Sequence, residues 1–491
     1  MMSIKNENIE IEVNKSTKWT ILTELASKLI SPVTGMILAR LLSPEAFGII
    51  ATLLVVNSFA EMFADAGFQK YFIQHAFKNE EDEEQTYNVA LYTTLFLAVA
   101  IWSGIFFFAD TIAHMMGTPE LVNAFRIMSF GVILNSISGM EMAIFKRHFQ
   151  FDLLFRLRMV TVFIPLVITI PLALLGLDYW ALIIGTLISQ LASCIFQYVY
   201  SPFQWHLFYS FSLLKKMLSF SLWSLFEAVT IWFSSWGRSL IVGTLLSTYY
   251  LGLYRGADTL VASIFSIVST PFIQVIYSGL SRLQNDIEAF NSLFYKQQKR
   301  VAFFVFPLGV GIFVYSDVVV QIVYGSQWHE IDFFVGLLGL VQCISIIINS
   351  FASKALRAKG MPFMSSLSQI CYIVLLWPAM YYFAHVSFKA LVISNMVCVV
   401  WLNIVKMAMM KYILKMSIKH MAYISCPIAI ATAGSGLIAL VLRKNMPVGI
   451  IYVATSALIF MISYVIIISR WTEYRQLVKL YSDKILIKIG K

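Results

Sequence analysis

Glu24 and Lys28 stand four residues apart in a stretch otherwise apolar enough to enter a bilayer, and Glu227 and Arg238 repeat the theme in a later one. Residues four apart share a helix face. Glu24 and Lys28 therefore form either a self-neutralising pair, tolerated during insertion, or one wall of a polar cavity. A charge near the bilayer centre costs about 2.5–3.5 kcal/mol on insertion scales, so such residues generally face a bundle interior or water. If the stretch is entered near residue 18, Glu24 lies roughly 9 Å deep and Lys28 roughly 15 Å deep, at about 1.5 Å per residue. Lys28 and Arg238 are candidates to hold an anion at membrane depth, and the planar fork of Arg238 suits bidentate contact with an oxyanion. The alternative for Arg238 is snorkelling to the outer interface. Glu24 and Glu227 would set the charge of their basic neighbours. Glu61 and Asp65, also four apart, put two like charges on one face, which suits a proton or sodium site or, more simply, an inner-end pair in cytoplasmic water.

Other charged groups read more plainly. Glu141, Asp258 and Arg126 sit near span ends, where interfacial water would solvate them, and Glu80–Glu84 reads as a solvated acidic loop. The five cysteines (Cys194, Cys343, Cys371, Cys398 and Cys426) fall in apolar segments without CxxC spacing, which points to packing and not to a disulfide framework or zinc. No nucleotide-binding P-loop, metal constellation or nucleophile constellation is present, so no cofactor and no catalytic residue is expected.

The elements that position these residues must be membrane helices. Of 491 residues, 59% are hydrophobic and 13% charged, against roughly 25% charged in a soluble domain. Hydropathy gives fourteen spans. Six lie in the first half (18–39, 47–69, 89–109, 121–142, 157–176, 179–200) and eight follow (217–245, 256–280, 301–318, 333–353, 364–384, 388–405, 421–442, 447–469). Short-loop Lys and Arg orient the chain. Lys70, Lys78, Lys146, Arg147, Lys215, Lys216, Lys299, Arg300, Lys354 and Arg357 fall on one side, while Arg40, Arg255, Lys389, Arg443 and Lys444 fall on the other. Both termini are expected in the cytoplasm, in a cytoplasmic (inner) membrane. The net charge of +10 belongs to that face and to anionic lipid headgroups; no soluble domain is long enough for nucleic-acid binding.

The chain also repeats itself. Ile37–Ser43 with Phe47-Gly48 matches Ile241–Ser247 with Leu251-Gly252 at a constant offset, and Asp110 through Gly117 echoes Asp317 through Gly325. The expected fold is all-α: a cytoplasmic arm (1–17), two six-helix lobes in pseudo-twofold arrangement (18–216 and 217–410), a terminal helix pair (411–469) and a basic tail (470–491). Repeats of this kind commonly place a transport site at their interface.

Several ordered motifs carry a family resemblance. They are Ala39-Arg40-Leu41-Leu42-Ser43-Pro44-Glu45-Ala46-Phe47-Gly48, Asp65-Ala66-Gly67-Phe68, Gly117-Thr118-Pro119-Glu120-Leu121, Trp180-Ala181-Leu182, Leu251-Gly252-Leu253-Tyr254, Leu280-Ser281-Arg282-Leu283-Gln284 and Gly325-Ser326-Gln327-Trp328. Together these resemble the polysaccharide-transporter branch of the multidrug/oligosaccharidyl-lipid/polysaccharide (MOP) exporter superfamily. The resemblance implies a flippase for undecaprenyl-pyrophosphate-linked oligosaccharide repeat units of a capsule, O-antigen or teichuronic-type polymer. It would work by alternating access, with proton or sodium coupling open, and with membrane lipid and other polysaccharide assembly proteins as partners. Where relatives often carry R-x-x-D in the seventh span, this chain has Ser235 and Arg238. The same composition also fits a drug/cation antiporter or, from another class, a membrane-embedded polysaccharide polymerase or ligase.

Overall fold

The computed structural model describes residues 19, 23, 26–28, 30–75, 77–203, 205–445, 449–472 and 474–476. The expected arm at 1–17, most of the tail at 470–491, and Glu24 lie outside them, as does the side chain of Glu227. Every regular element among the described residues is a helix. Residues 30–41 form α1. It is followed by α2 (Pro44–Asp65), α3 (Glu80–Phe107), α4 (Pro119–Arg147), α5 (Phe151–Leu174), α6 (Tyr179–Tyr200), α7 (Phe211–Ser235), α8 (Gly237–Leu245) and α9 (Thr248–Arg282). Then come α10 (Ile287–Val314), α11 (Ser316–Val323), α12 (Ser326–Ala358), α13 (Pro362–Ala384), α14 (Phe388–Tyr412), α15 (Ile418–Asn445) and α16 (Ile450–Ile468).

Among the described residues, 11 helices are long and apolar enough to cross a membrane; α10 and α11, bent by 83° at their junction, bring the number to 12 as a broken span. The expected spans 18–39 and 217–245 include residues or side chains outside the described set and are not among these. Outward faces carry large apolar side chains, with Phe107 77% and Ile451 76% exposed. On a water-soluble surface so many would form an association patch; on a multi-pass membrane protein they meet lipid.

Local sequence explains the helix ends. Ser43 accepts from the Ala46 N–H and Pro44 opens α2 at its first turn, where a missing N–H costs nothing. Asn79 caps α3, whose first turn is Glu80, Glu81, Asp82 and Glu83, the charge sign a helix N-terminus favours. The acidic run is therefore helix and not loop, which corrects the sequence reading. Glu83 is buried: Arg147 Nε lies 2.8 Å from its Oε1 and His148 Nε2 lies 3.0 Å away. Arg147 Nη1 also donates to the carbonyls of Phe72, Ile73 and His75, binding the ends of α3 and α4 to the short helix Phe68–Gln74. Glu141, expected at a watery interface, is instead 0% exposed; its Oε1 accepts from Tyr87 Oη at 2.6 Å and from Trp205 Nε1 at 3.0 Å.

Removing one partner of a buried pair strands the other, at about 3–5 kcal/mol. Arg147→Ala should therefore lower the melting temperature of the purified protein sharply. Arg147→Lys should recover only part of the loss, because an ammonium cannot serve the carboxylate and three carbonyls with one planar fork. An Arg147→Ala protein that melts with the wild type would refute the clamp.

The chain divides into two compact units. One holds residues up to Gly256 together with Val323–Gln327 and Met380–Phe388; the other holds Ala257–Ile322, Trp328–Ala379 and the chain from Lys389. In the first unit, the repeat motifs meet. A Cβ on Gly48 would overlap the carbonyl oxygen of Thr248 and lie 3.0 Å from the Gly252 nitrogen. A Cβ on Gly252 would overlap the carbonyl oxygen of Pro44 and lie 3.0 Å from the Gly48 nitrogen. Pro44 and Thr248, like Gly48 and Gly252, are repeat equivalents, so the start of α2 packs on the start of α9 through a reciprocal, locally twofold contact.

The second echo is structural too. The breaks after α3 and after α10 are each followed by a short helix, and Gly117 (φ +71°) and Gly325 (φ +89°) follow those helices, in the left-handed region that glycine enters freely. In the second unit, Arg443 straps the α10–α11 bend. Its Nη1 donates to Asp317 Oδ1 at 3.0 Å and its Nη2 to Oδ2 at 2.5 Å, with a further bond to the Val314 carbonyl. Cys194, Cys343 and Cys398 are buried as expected, whereas Cys371 and Cys426 are exposed on apolar helices; all five are free thiols.

Candidate functional site

A cleft of about 550 Å³ opens inside the first unit, walled by α4, α5 and α6 with Thr23 and Leu38 from the α1 region. Its size is that of a small-molecule site, and polar side chains from all three helices join apolar ones in its lining. Thr186, Ser189 and Ser193 recur at helical spacing on α6. Their hydroxyls donate to the carbonyls of Leu182, Gly185 and Ser189 at 2.7, 2.8 and 2.8 Å. Spending the proton on the helix's own backbone leaves lone pairs to accept from whatever enters. Gln190 adds an amide whose Oε1 has no partner among the described residues. Lys146 and Arg158 supply positive charge, Arg158 being held by its Nε bond to Ser27 Oγ at 2.8 Å.

Backbone irregularity shapes this wall. α5 passes through a π-helical turn at Pro165–Thr169, and both terminal residues of that turn line the cleft. Such turns insert a residue into the helical ladder and frequently mark functional positions. Gly185 on α6 has no Cβ where one would overlap Thr169 Oγ1, which is what lets α6 approach α5 at the turn.

The sequence candidates fall variously around this cleft. Glu61 is half-buried on α2, and Asn135, which lines the cleft, donates to its Oε1 at 2.5 Å. Asp65, one turn on, engages the backbone N–H groups of Gly67 and Gln69, at the start of the short helix after α2. Lys28 is half-buried and helical in the segment that brings Thr23 and Leu38 to the cleft, but is not itself a lining residue. Arg238 is half-buried on α8, two residues after Trp236, whose ring carries the Arg255 guanidinium at 4.4 Å; it too lies off the cleft lining. Glu24 and the Glu227 side chain lie outside the described residues. The hydroxyl face of α6 was missed by reasoning that followed charge. Its signal was present as Thr186, Ser189 and Ser193 at intervals of three and four in an otherwise apolar helix.

Lys406 was also misplaced. The expected span 388–405 left it in cytoplasmic water, whereas α14 continues to Tyr412 and Lys406 is 0% exposed.

Comparison with known proteins places this architecture. Residues 37–332 match the family described as polysaccharide biosynthesis protein. The succinoglycan biosynthesis transport protein ExoT of Rhizobium meliloti (strain 1021) is 23% identical over 69% of this chain and 68% of its own. The lipopolysaccharide biosynthesis protein WzxC of Escherichia coli (strain K12) is 22% identical over 72% of this chain and 70% of its own. Among solved structures, the lipid II flippase MurJ in its inward closed conformation superposes with a TM-score of 0.72 at 15% identity, covering 94% of this chain and 100% of that one. An inward-facing multidrug resistance MATE family transporter of the MOP superfamily gives 0.59 at 14% identity, covering 79% and 96%. These structural likenesses speak to fold. The matched residues contain the ordered motifs from Ala39 to Trp328, and the chain belongs to the polysaccharide biosynthesis protein family.

Proposed function

We propose that this chain is a flippase that moves polyprenyl-pyrophosphate-linked oligosaccharide repeat units from the inner to the outer leaflet for surface polysaccharide assembly. The observation that carries the reading is the cleft lined by hydroxyls, amides and two cations inside a bundle whose outer faces are apolar. A sugar headgroup needs such acceptors, while its polyprenyl tail needs only lipid. The names of its relatives point the same way: succinoglycan transport for ExoT, and a probable low-salt glycan biosynthesis flippase, Agl15, in Haloferax volcanii. We read the chain as a transporter and not an enzyme. It has fourteen spans, both termini in the cytoplasm and two six-helix lobes alternating access. Lys28 and Arg238, which lie off the cleft lining, hold the pyrophosphate, Glu24 and Glu227 tune them, and Glu61 and Asp65 tune charge or couple an ion.

A second reading, a MATE-type drug/cation antiporter, is favoured by the fold shared with the inward-facing MATE transporter. One experiment separates the two. Deleting the gene should reduce surface glycan and accumulate lipid-linked repeat units on the inner leaflet, with restoration by the cloned gene. Changed drug resistance with intact surface glycan would establish the antiporter instead.

A further inference from the structure

Lys406 is a charge-bearing group enclosed in the second unit without a counter-ion. Its side chain is 0% exposed, and its Nζ reaches Ser365 Oγ on α13 at 3.1 Å. No ion pair involves it among the described residues. Neither its own helix nor α13, α15 or α16 carries a carboxylate, since no Asp or Glu occurs between Asp332 and Glu473. The charged group that acts on it is another cation, Arg357 on α12. Lys354 lies one turn before Arg357, and Lys411 lies beyond Lys406 on α14 itself.

An ammonium carries three donors and no acceptor, and removing it from water costs several kcal/mol unless partners replace the water. One hydroxyl does not. The neutral amine fits the same place better, with two donors and a lone pair that the Ser365 hydroxyl can turn to meet.

The surroundings extend this into a file. On α13, Ser365, Ser368 and Tyr372 share one buried face; on α14, Asn395, Asn403 and Lys406 share another. Tyr372 Oη donates to Asn395 Oδ1 at 3.3 Å, and Asn403 Nδ2 donates to Ser345 Oγ on α12 at 3.1 Å. Asn403 Oδ1, about one turn from Lys406, is a buried acceptor with no donor among the described residues. Asn395, Asn403 and Lys406 are spread over roughly 16 Å of α14 at about 1.5 Å per residue, tied to Tyr372, Ser345 and Ser365 respectively, in helices otherwise built for lipid. A large anion cannot reach a group with no exposed surface. A proton can.

We propose that Lys406 is a proton-binding site, loaded and emptied during the transport cycle through the polar file between α13 and α14. This rests on the transporter reading and places proton coupling at a residue distinct from Glu61 and Asp65. On release, the N–H bond breaks, the proton passes by way of these polar groups to water, and the electron pair stays on Nζ to accept from Ser365.

The test uses the full chain in phosphatidylethanolamine/phosphatidylglycerol vesicles adsorbed on a solid-supported membrane, stepping pH or sodium without added substrate. The wild type should give a transient charge displacement on an acid step and none on a sodium step. Lys406→Met, close in size and unable to take a proton, and Lys406→Arg, which stays charged, should both lose it. Ser365→Ala should keep the displacement but shift its pH midpoint, a readout that survives should Lys406→Met fail to elute as a monodisperse peak. No displacement in the wild type, an undiminished one in Lys406→Arg, or an unshifted midpoint in Ser365→Ala would overturn the proposal. Failure of the flippase reading appears separately, as unchanged surface glycan on gene deletion.

Discussion

Alanine at Gly48 or Gly252 should cut the yield of folded protein severely, and the two changes together should cost little more than either alone. Each Cβ would land on a backbone carbonyl oxygen of the facing helix, Thr248 for Gly48 and Pro44 for Gly252. Backbone cannot rotate aside as a side chain does, so α2 and α9 must separate at their first turns. Overpacking ordinarily costs about 1–3 kcal/mol, and more where relief requires backbone movement. Once the helices have parted for one methyl, the second meets a gap already open, and neighbours that share a strain do not add. Gly104→Ala is the control, because nothing lies within 4 Å of its Cβ position. Monodisperse yield from fluorescence-detected size exclusion measures the series. Wild-type yield in both single variants, or a double variant at the product of the two losses, would sink the reciprocal contact.

The second large effect follows from the proposed pyrophosphate site at Lys28 and Arg238. A charged hydrogen bond to a buried anion contributes about 1.5–3 kcal/mol, roughly 10- to 150-fold in binding. Lys28→Ala with Arg238→Ala should therefore leave membrane expression normal while lipid-linked repeat units accumulate on the inner leaflet and surface polymer falls. Arg238→Lys should rescue partially, since the ammonium keeps the charge and loses the bidentate geometry. Normal surface polymer in the double variant at wild-type protein level would remove both residues from substrate binding.

What was legible in the sequence was whatever depends on local hydropathy. The span 179–200 coincides with α6, and 364–384 falls within α13. Motif order was legible too, but motif meaning was not. Phe47-Gly48 and Leu251-Gly252 read as family signatures, and only the fold shows that their glycines are there because two helices touch through backbone. Charge was where local reasoning failed. Glu83 in an acidic run, Glu141 near a span end and Lys406 past one all looked solvated, yet each is buried by partners distant in sequence: Arg147, Trp205 and Ser365. The cleft was invisible for a related reason. Hydroxyls at helical spacing barely lower mean hydropathy, so Thr186, Ser189 and Ser193 pass as ordinary members of an apolar helix.

The reciprocity at Gly48 and Gly252 bears on ancestry. A patch that meets its own repeat through a local twofold is the patch a homodimer uses, in which one substitution alters both sides of the seam at once. A chain of half this length, spanning the membrane in one orientation, would have had that seam available before any duplication joined two copies. Elsewhere the halves differ more, the echo of Asp110–Gly117 in Asp317–Gly325 aside: Lys28 and Arg238 do not occupy equivalent positions, and the long carboxylate-free run belongs to the second half alone. At the seam neither half could change without the other, and there the two sequences still read alike.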